Sequence, residues 1–397
     1  MTGPLSGIRV VDFGRYIAGP YCAALLADFG AEVIRVEKRE GREDRTLMPL
    51  AGSGEAPGEG AMFLQMNRNK KSLTLDPLSG KGREVVKRLV KRADVVIANL
   101  PGETLQAMGL DWESVSAVNP RAILAVVSAF GLEGPYANRV GFDGVAQAMS
   151  GAVWFGGTEE QPVRAAAPWV DFGTASLLAL GVMTALRARD QTGKGQLVEG
   201  ALLRTAMTYF STMLIEESVL HLGRKPTLNR SQTAGPSDIY KTKDGWITVA
   251  VNGDPLFRRA ARLIGAGEWL EDKRFASDKA RGDHGEIISK RVQEWCAGLT
   301  SAEAIAAFEG ARVPAGPVYT MRQTLEDPHV KASGIFTDVE FPGIGTAPVA
   351  ATPVKLHATP GSVRARPPVL GEHNDEVLHG LGYSDEEIAA MKADGTV

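Results

Sequence analysis

The chain has 397 residues, enough for two to three domains. Hydrophobic residues make up 44 % and charged residues 23 %, ordinary for a globular enzyme, and a net charge of −3 gives no bulk attraction to nucleic acid or to a membrane surface. Cys22 and Cys296 are the only cysteines, which excludes a disulfide framework and fits a reducing cytoplasm; no basic segment followed by an apolar one opens the chain, so no secretory signal is expected, and no apolar run reaches membrane-spanning length.

Gly7 to Asp12 reads as a strand. A turn follows from Gly14 to Pro20, then an Ala/Leu-rich helix from Tyr21 to Phe29 that Gly30 ends. Glu32 to Glu37 is a second strand, and a right-handed crossover makes the two parallel. Glu37 stands where a dinucleotide fold places its ribose-binding acid. Against that reading, Gly14 and Gly19 are five apart and no Gly-x-Gly-x-x-Gly is present. Residues 38–45 carry dense mixed charge, and 50–60, rich in Gly, Ala and Pro, read as a mobile loop. Leu73 to Leu75 is a strand, and Gly80 to Arg92 an amphipathic helix with Val85, Val86, Leu89 and Val90 inward. Val95–Ala98 and Ala122–Val127 are further apolar strands. This alternation predicts a largely parallel sheet covered on both faces. The basic residues of 38–45 and 68–71 fall at strand ends, where open α/β sheets bind ligands. Their charge suits a polyphosphate-bearing ligand or solvent equally.

The stretch from Pro168 to Leu203 organises the chain. Leu177, Leu178, Leu180, Val182, Met183, Ala185 and Leu186 recur with helical spacing, so a helix near 174–186 is expected to be buried on most sides. Arg187 and Arg189 suit its last turn, and Gly193 stops it. Gln196 to Glu199 reads as a short strand before another helix near Ala201. Asp171 opens the central helix. By position it reads as an N-cap. It also reads as a nucleophilic carboxylate, with Gly173 leaving the approach open and helix-end amides stabilising charge. The two readings are compatible.

From about 225 the texture changes. Tyr240 to Val249 reads as a hairpin turning at Asp244-Gly245, and helices follow at 255–265, 285–298 and 301–309, a separate small α+β domain. Gly316-Pro317-Val318 is expected to start the return, and a short helix from Asp385 to Lys392 ends the chain. All six histidines lie at 221 or later without ligand spacing. They read as surface or structural, and no metal site is expected.

Several segments in this order carry a family resemblance: Pro4 to Asp12, Ala18-Gly19-Pro20, Gly30 to Glu37, Asn67 to Ser72, Asp143 to Gly151, Asp171, Thr192 to Gln196, Lys243-Asp244-Gly245, Val313 to Val318, and Leu370 to His373. The set resembles the class III (CaiB/BaiF) CoA-transferases, the group of formyl-CoA:oxalate, carnitine and succinyl-CoA:glutarate transferases. The resemblance implies an α/β fold: a large doubly wound, Rossmann-like parallel-sheet domain from both chain ends, residues 1–200 and 326–397, with a linker helix over 201–224 and a smaller inserted α+β domain over 225–325. It implies an interlocked homodimer. It makes Asp171 the nucleophile, acylated by an acyl-CoA and then carrying CoA as a thioester that a small carboxylic acid receives. Coenzyme A is then substrate and product, with no tightly bound cofactor and no nucleic-acid or membrane partner. CoA contacts are expected from Lys38, Asn69, Lys71, Ser72, Asn99 and Met108. Arg15, Tyr16 and Ile17, which follow the first strand, are expected at the acyl end, with Phe142, Asp143 and Gly253.

Two stretches depart from the family pattern. Asn99-Leu100-Pro101-Gly102-Glu103 lacks an arginine frequent there, and Val251-Asn252-Gly253-Asp254 has one glycine where the oxalate enzymes carry a run. The racemase branch of the family needs a histidine before the aspartate of Gly141-Phe142-Asp143, and phenylalanine cannot shuttle a proton. A racemase and a non-catalytic CoA-binding protein remain the alternative readings.

Overall fold

The computed structural model describes residues 3–41, 43–50 and 59–397. Most of the loop expected over 50–60 lies outside the described residues. Six strands form one sheet: β1 Arg9–Asp12, β2 Glu32–Glu37, β3 Lys70–Thr74, β4 Val95–Ala98, β5 Ile123–Ser128 and β6 Leu197–Ala201. Their order is β3-β2-β1-β4-β5-β6, and every neighbouring pair is parallel, the doubly wound arrangement.

The apolar strands show why. Val95, Ile97, Ile123, Ala125 and Val127 enter one core, while Val96, Ala98, Leu124 and Val126 enter another. Alternate side chains leave opposite faces of a strand, so a run apolar throughout demands cover on both. The first helix, Ala18–Asp28, and the central helix, Trp169–Thr192, cover one face. Val85, Val86, Leu89 and Val90 of the helix Gly80–Arg92 cover the other, joined by Val377, Leu378, Ile388 and Met391 from the end of the chain.

The first helix begins at Ala18 rather than at Tyr21. Pro20 therefore sits in the first turn, where no intrahelical N–H is required of it. The central helix is 24 residues long, extending past the apolar stretch 174–186 at both ends, with Arg189 in its last turn and Gly193 ending it as expected. By length and composition alone it could cross a membrane, against the expectation that no apolar run is long enough. Ala175, Leu178, Val182 and Ala185 bury one side of it in the core. Leu177, Leu180 and Met183 lie exposed on the other side, so it is not buried on most sides of this chain.

Two compact units result. One holds residues up to Ser150, Ala166–Ile215 and Ser333–Val397; the other holds Gly151–Ala165 and Glu216–Ala332. The first unit runs past 200 because Leu202 and Ala206, in the helix Leu202–Tyr209, pack on the sheet's own core; the return begins at Ser333 rather than at 326. Residues 201–224 are not one linker helix: a second helix runs Ser211–Leu220. In the second unit β7 Ser237–Lys241, β8 Trp246–Ala250 and β9 Ala315–Pro317 form an antiparallel sheet in that order. Gly316 and Pro317, expected to start the return, are instead its third strand. Helices Asp254–Leu263, Gly285–Ala297 and Ser301–Gly310 pack on it through Phe257, Ile288, Val292 and Phe308.

Candidate active site

Strand order reverses between β1 and β4, and connections diverge at their carboxyl ends, the place where such sheets open a crevice. The loop after β1 lies there. Asp12 ends β1 fully buried; Oδ1 accepts the Gly14 N–H at 2.8 Å and Oδ2 accepts Lys70 Nζ at 2.7 Å. Gly14 is required, since a Cβ would lie 2.7 Å from Asp12 Oδ1 and from the Pro20 ring. Asn99, just after β4, binds the Arg15 main chain twice: its Oδ1 accepts the Arg15 N–H at 2.7 Å and its Nδ2 donates to the Arg15 carbonyl at 2.8 Å. Asp44 Oδ2 accepts the Tyr16 N–H at 3.0 Å and Arg35 Nη2 at 2.8 Å. These bonds hold Tyr16 at φ 60°, a left-handed conformation that costs a bulky residue about 1–3 kcal/mol. The Tyr16 ring meets Phe142 edge-on at 5.8 Å.

Asp143 follows Phe142 and is buried. Its Oδ2 accepts the N–H groups of Val170 at 2.8 Å and Asp171 at 3.1 Å, and Gln147 Nε2 donates to Oδ1. Asp143 thus caps the central helix from a different helix, Asp143–Met149. The N-cap position itself is Pro168, which has no side-chain acceptor. Asp171 is the third residue of the helix, and the expectation that it caps its own helix is corrected. Among the described residues, no hydrogen bond or ion pair reaches its carboxylate. Burial, with the Asp143 charge adding to it, pushes the Asp171 carboxyl from 3.8 up to about 7. Gly173 has another use than an open approach: a Cβ there would lie 2.5 Å from the Tyr209 ring, which stacks on Trp169 at 6.0 Å.

Arg15, Tyr16, Phe142, Asp143 and Asp171 are therefore linked through successive contacts. Ile17 is buried against the first core. Lys38 is exposed directly after β2, at the same carboxyl edge. The other residues expected on CoA are engaged elsewhere. Asn69 Nδ2 donates to Asp28 and to the Ser362 carbonyl, and its Oδ1 accepts the N–H groups of Arg364 and Ala365. Ser72 Oγ donates to Glu37 at 2.7 Å and accepts the Gly371 N–H at 2.9 Å. Both fasten the returning chain. Lys71, near the amino end of β3, pairs with Glu32 and Glu376 at 2.7 Å. Met108 is buried in the second core. Gly253 belongs to the second unit.

Of the charged stretches, Lys38, Arg39, Glu40 and Glu43 are exposed, whereas Asp44, Arg45, Arg68 and Lys70 are buried. Arg35 and Arg45 pair with Glu37, Arg35 also with Asp44, and Arg68 with Asp28, all buried. Burial pushes the Glu37 carboxyl up, but the Arg35 and Arg45 guanidiniums and the Ser72 hydroxyl outweigh it and hold it at about 2. Glu37 is not free to bind a ribose. Arg45, Arg68 and Lys70 are likewise spent on internal pairs rather than turned to a ligand or to solvent. Sequence reasoning missed Asp12 and Asp44 as the residues that shape the loop. An aspartate two residues before a glycine at a strand end was the signal for the first.

A model of CoA-transferase family III matches residues 5–374. The succinyl-CoA–D-citramalate CoA-transferase of Chloroflexus aurantiacus is 35 % identical over 393 residues, covering 98 % of this chain and 97 % of that one. The succinate–glutarate CoA-transferase of Agrobacterium fabrum is 35 % identical over 390 residues, covering 95 % and 96 %. Among solved structures, a CaiB/BaiF family protein from Brucella suis matches with a TM-score of 0.83 at 32 % identity, covering 96 % of this chain and 100 % of that one. The chain belongs to CoA-transferase family III and is a CoA-transferase.

Proposed function

We propose that Asp171 is the nucleophile of a transfer that moves CoA from a dicarboxylic acyl-CoA, of the succinyl-CoA type, to a second carboxylic acid. The observation that carries this is a half-buried carboxylate with no partner beside an aspartate already committed to capping. A carboxylate is a weak nucleophile in water, and losing hydration without gaining a partner makes it a better one. Asp171 attacks the thioester carbonyl; the C–S bond breaks, and a mixed anhydride and CoA thiolate form. The thiolate attacks the Asp171 acyl carbon, releasing the donor acid and leaving an aspartyl-CoA thioester. The acceptor carboxylate attacks that thioester, forming a second anhydride and thiolate. The thiolate then takes the acceptor's acyl carbon and frees Asp171. Above about pH 7 the Asp171 carboxyl is ionised, and the CoA thiolate and the acceptor carboxylate are anions too, so no general base is required. Phe142 has no proton to offer, which argues against racemisation at the α-carbon.

Asp143 positions the helix start and raises the energy of the Asp171 anion. The first turn of the helix Ala18–Asp28 opens at the same edge with no side-chain cap, leaving amides to stabilise a developing oxyanion. The names of the two relatives, built on succinyl-CoA, succinate and glutarate, support the substrate class. Leu177, Leu180 and Met183, with Met207, Leu214 and Ile215 on the following helices, expose the apolar surface a second copy would cover, so we propose a homodimer. Two buried free cysteines suit the cytoplasm. The test is Asp171→Asn assayed with succinyl-CoA and a panel of acids. Transfer falls to background while the circular dichroism spectrum is kept. Near-normal turnover would overturn the assignment.

A further inference from the structure

Asp171 accounts for the reacting end of an acyl group and for nothing at its far end. Arg15 lies at the same carboxyl edge of the sheet, three residues after β1. Asn99 fixes its main chain from both sides, at 2.7 and 2.8 Å. Its side chain is held much less firmly. The guanidinium lies 5.2 Å from the centre of the Tyr16 ring, and that ring contacts Phe142, the neighbour of Asp143. Among the described residues its single ion pair is Nη2 with Glu43, whose side chain is 64 % exposed against 30 % for Arg15. Arg15 Nε is buried and has no hydrogen-bond partner among the described residues.

A guanidinium presents five N–H donors in a planar fork that matches a carboxylate. Here the fork is seated against an aromatic ring, partly desolvated, anchored to a rigid loop and mostly unused. Glu43, being the more exposed member, can return to water at little cost, since exposed ion pairs are weak. Building on the transfer reading above, we propose that Arg15 binds the distal carboxylate of the dicarboxylic acyl group and that Glu43 holds its place until substrate displaces it. The loop then selects dicarboxylic over monocarboxylic donors, while Asp171 handles the thioester.

The test compares succinyl-CoA with butyryl-CoA, which has the same four carbons and a methyl in place of the distal carboxylate. Charge-assisted, forked hydrogen bonds discriminate by about 100-fold or more. The ratio of kcat/KM for succinyl-CoA over butyryl-CoA is expected to collapse toward one in Arg15→Gln and to recover in part in Arg15→Lys. In Glu43→Gln, the KM for succinyl-CoA is expected to fall. The same ratio is read by calorimetric binding of the two thioesters to wild type and Arg15→Gln. A ratio of kcat/KM or of affinities unchanged by Arg15→Gln overturns the proposal. Wild type that turns over neither donor would overturn the transfer reading instead, and the calorimetric ratio would still decide the role of Arg15.

Discussion

Replacing Asp171 with asparagine should stabilise the protein, and only where wild type carries the charge. The folded carboxyl sits at about 7 against an ordinary 3.8, chiefly because burial strips water from the anion. The folded state therefore binds its proton more tightly than the unfolded state. Between these values the folded state carries more protons, so wild-type stability falls as pH rises and the penalty is complete above about pH 7. The full difference corresponds to about 4 kcal/mol. Asp171 is half-buried, so about 4 kcal/mol is the upper limit of the penalty; hydration that lowers it to about 2 kcal/mol lowers the folded value with it and moves the plateau down by about 2 pH units. Differential scanning fluorimetry of wild type and Asp171→Asn from pH 4 to pH 9 reads it. The variant's advantage should grow with pH and level off between about pH 6 and pH 8. A difference that stays flat across this range, or a wild type that is the more stable at pH 8, would refute the desolvation argument.

Four further outcomes follow from the same structure. Asp143→Asn keeps an oxygen for the Val170 and Asp171 amides but removes the neighbouring charge, so the pH midpoint of kcat/KM should move down. Asp143→Ala strands both amides and should cost about 1–3 kcal/mol by chemical denaturation. Incubating a 2-methylacyl-CoA with the enzyme in D2O should leave the α-carbon unlabelled by mass spectrometry, because Phe142 stands where a proton-shuttling base is needed; enzyme-dependent deuterium would restore the racemase reading. Light scattering should give about 85 kDa, twice the 42.3 kDa chain, down to dilute protein, and a stable folded monomer would contradict the covered-helix argument.

The parallel sheet was legible because its strands are apolar on both faces, a pattern that leaves few other arrangements. Element ends were less so. Pro20 reads as a breaker in a linear scan, yet it is harmless in a first helical turn. The apolar run that marks the central helix stops at Leu186, while the expected last-turn Arg189 and the Gly193 stop are where the helix ends; what the sequence did not show is that Arg189 is buried there and paired with Asp94. Asp171 itself stood out, but its setting did not. Local sequence assigns a helix its cap from adjacent residues, whereas this helix is capped by Asp143, 28 residues upstream of Asp171. The basic runs misled for a related reason. Charge density along a chain does not distinguish a solvated or ligand-facing lysine from Lys70, whose ammonium is enclosed by Asp12, Asn67 and the Pro20 carbonyl.

The central claim is that the Asp171 carboxylate itself becomes acylated. Hydroxylamine added during turnover with succinyl-CoA intercepts an aspartyl anhydride or thioester and leaves a hydroxamate on that side chain. Digestion and tandem mass spectrometry should locate the hydroxamate on Asp171, only when acyl-CoA is present, with activity lost in proportion to labelling. Continued transfer with an unmodified Asp171 peptide, or label on another residue, would contradict it.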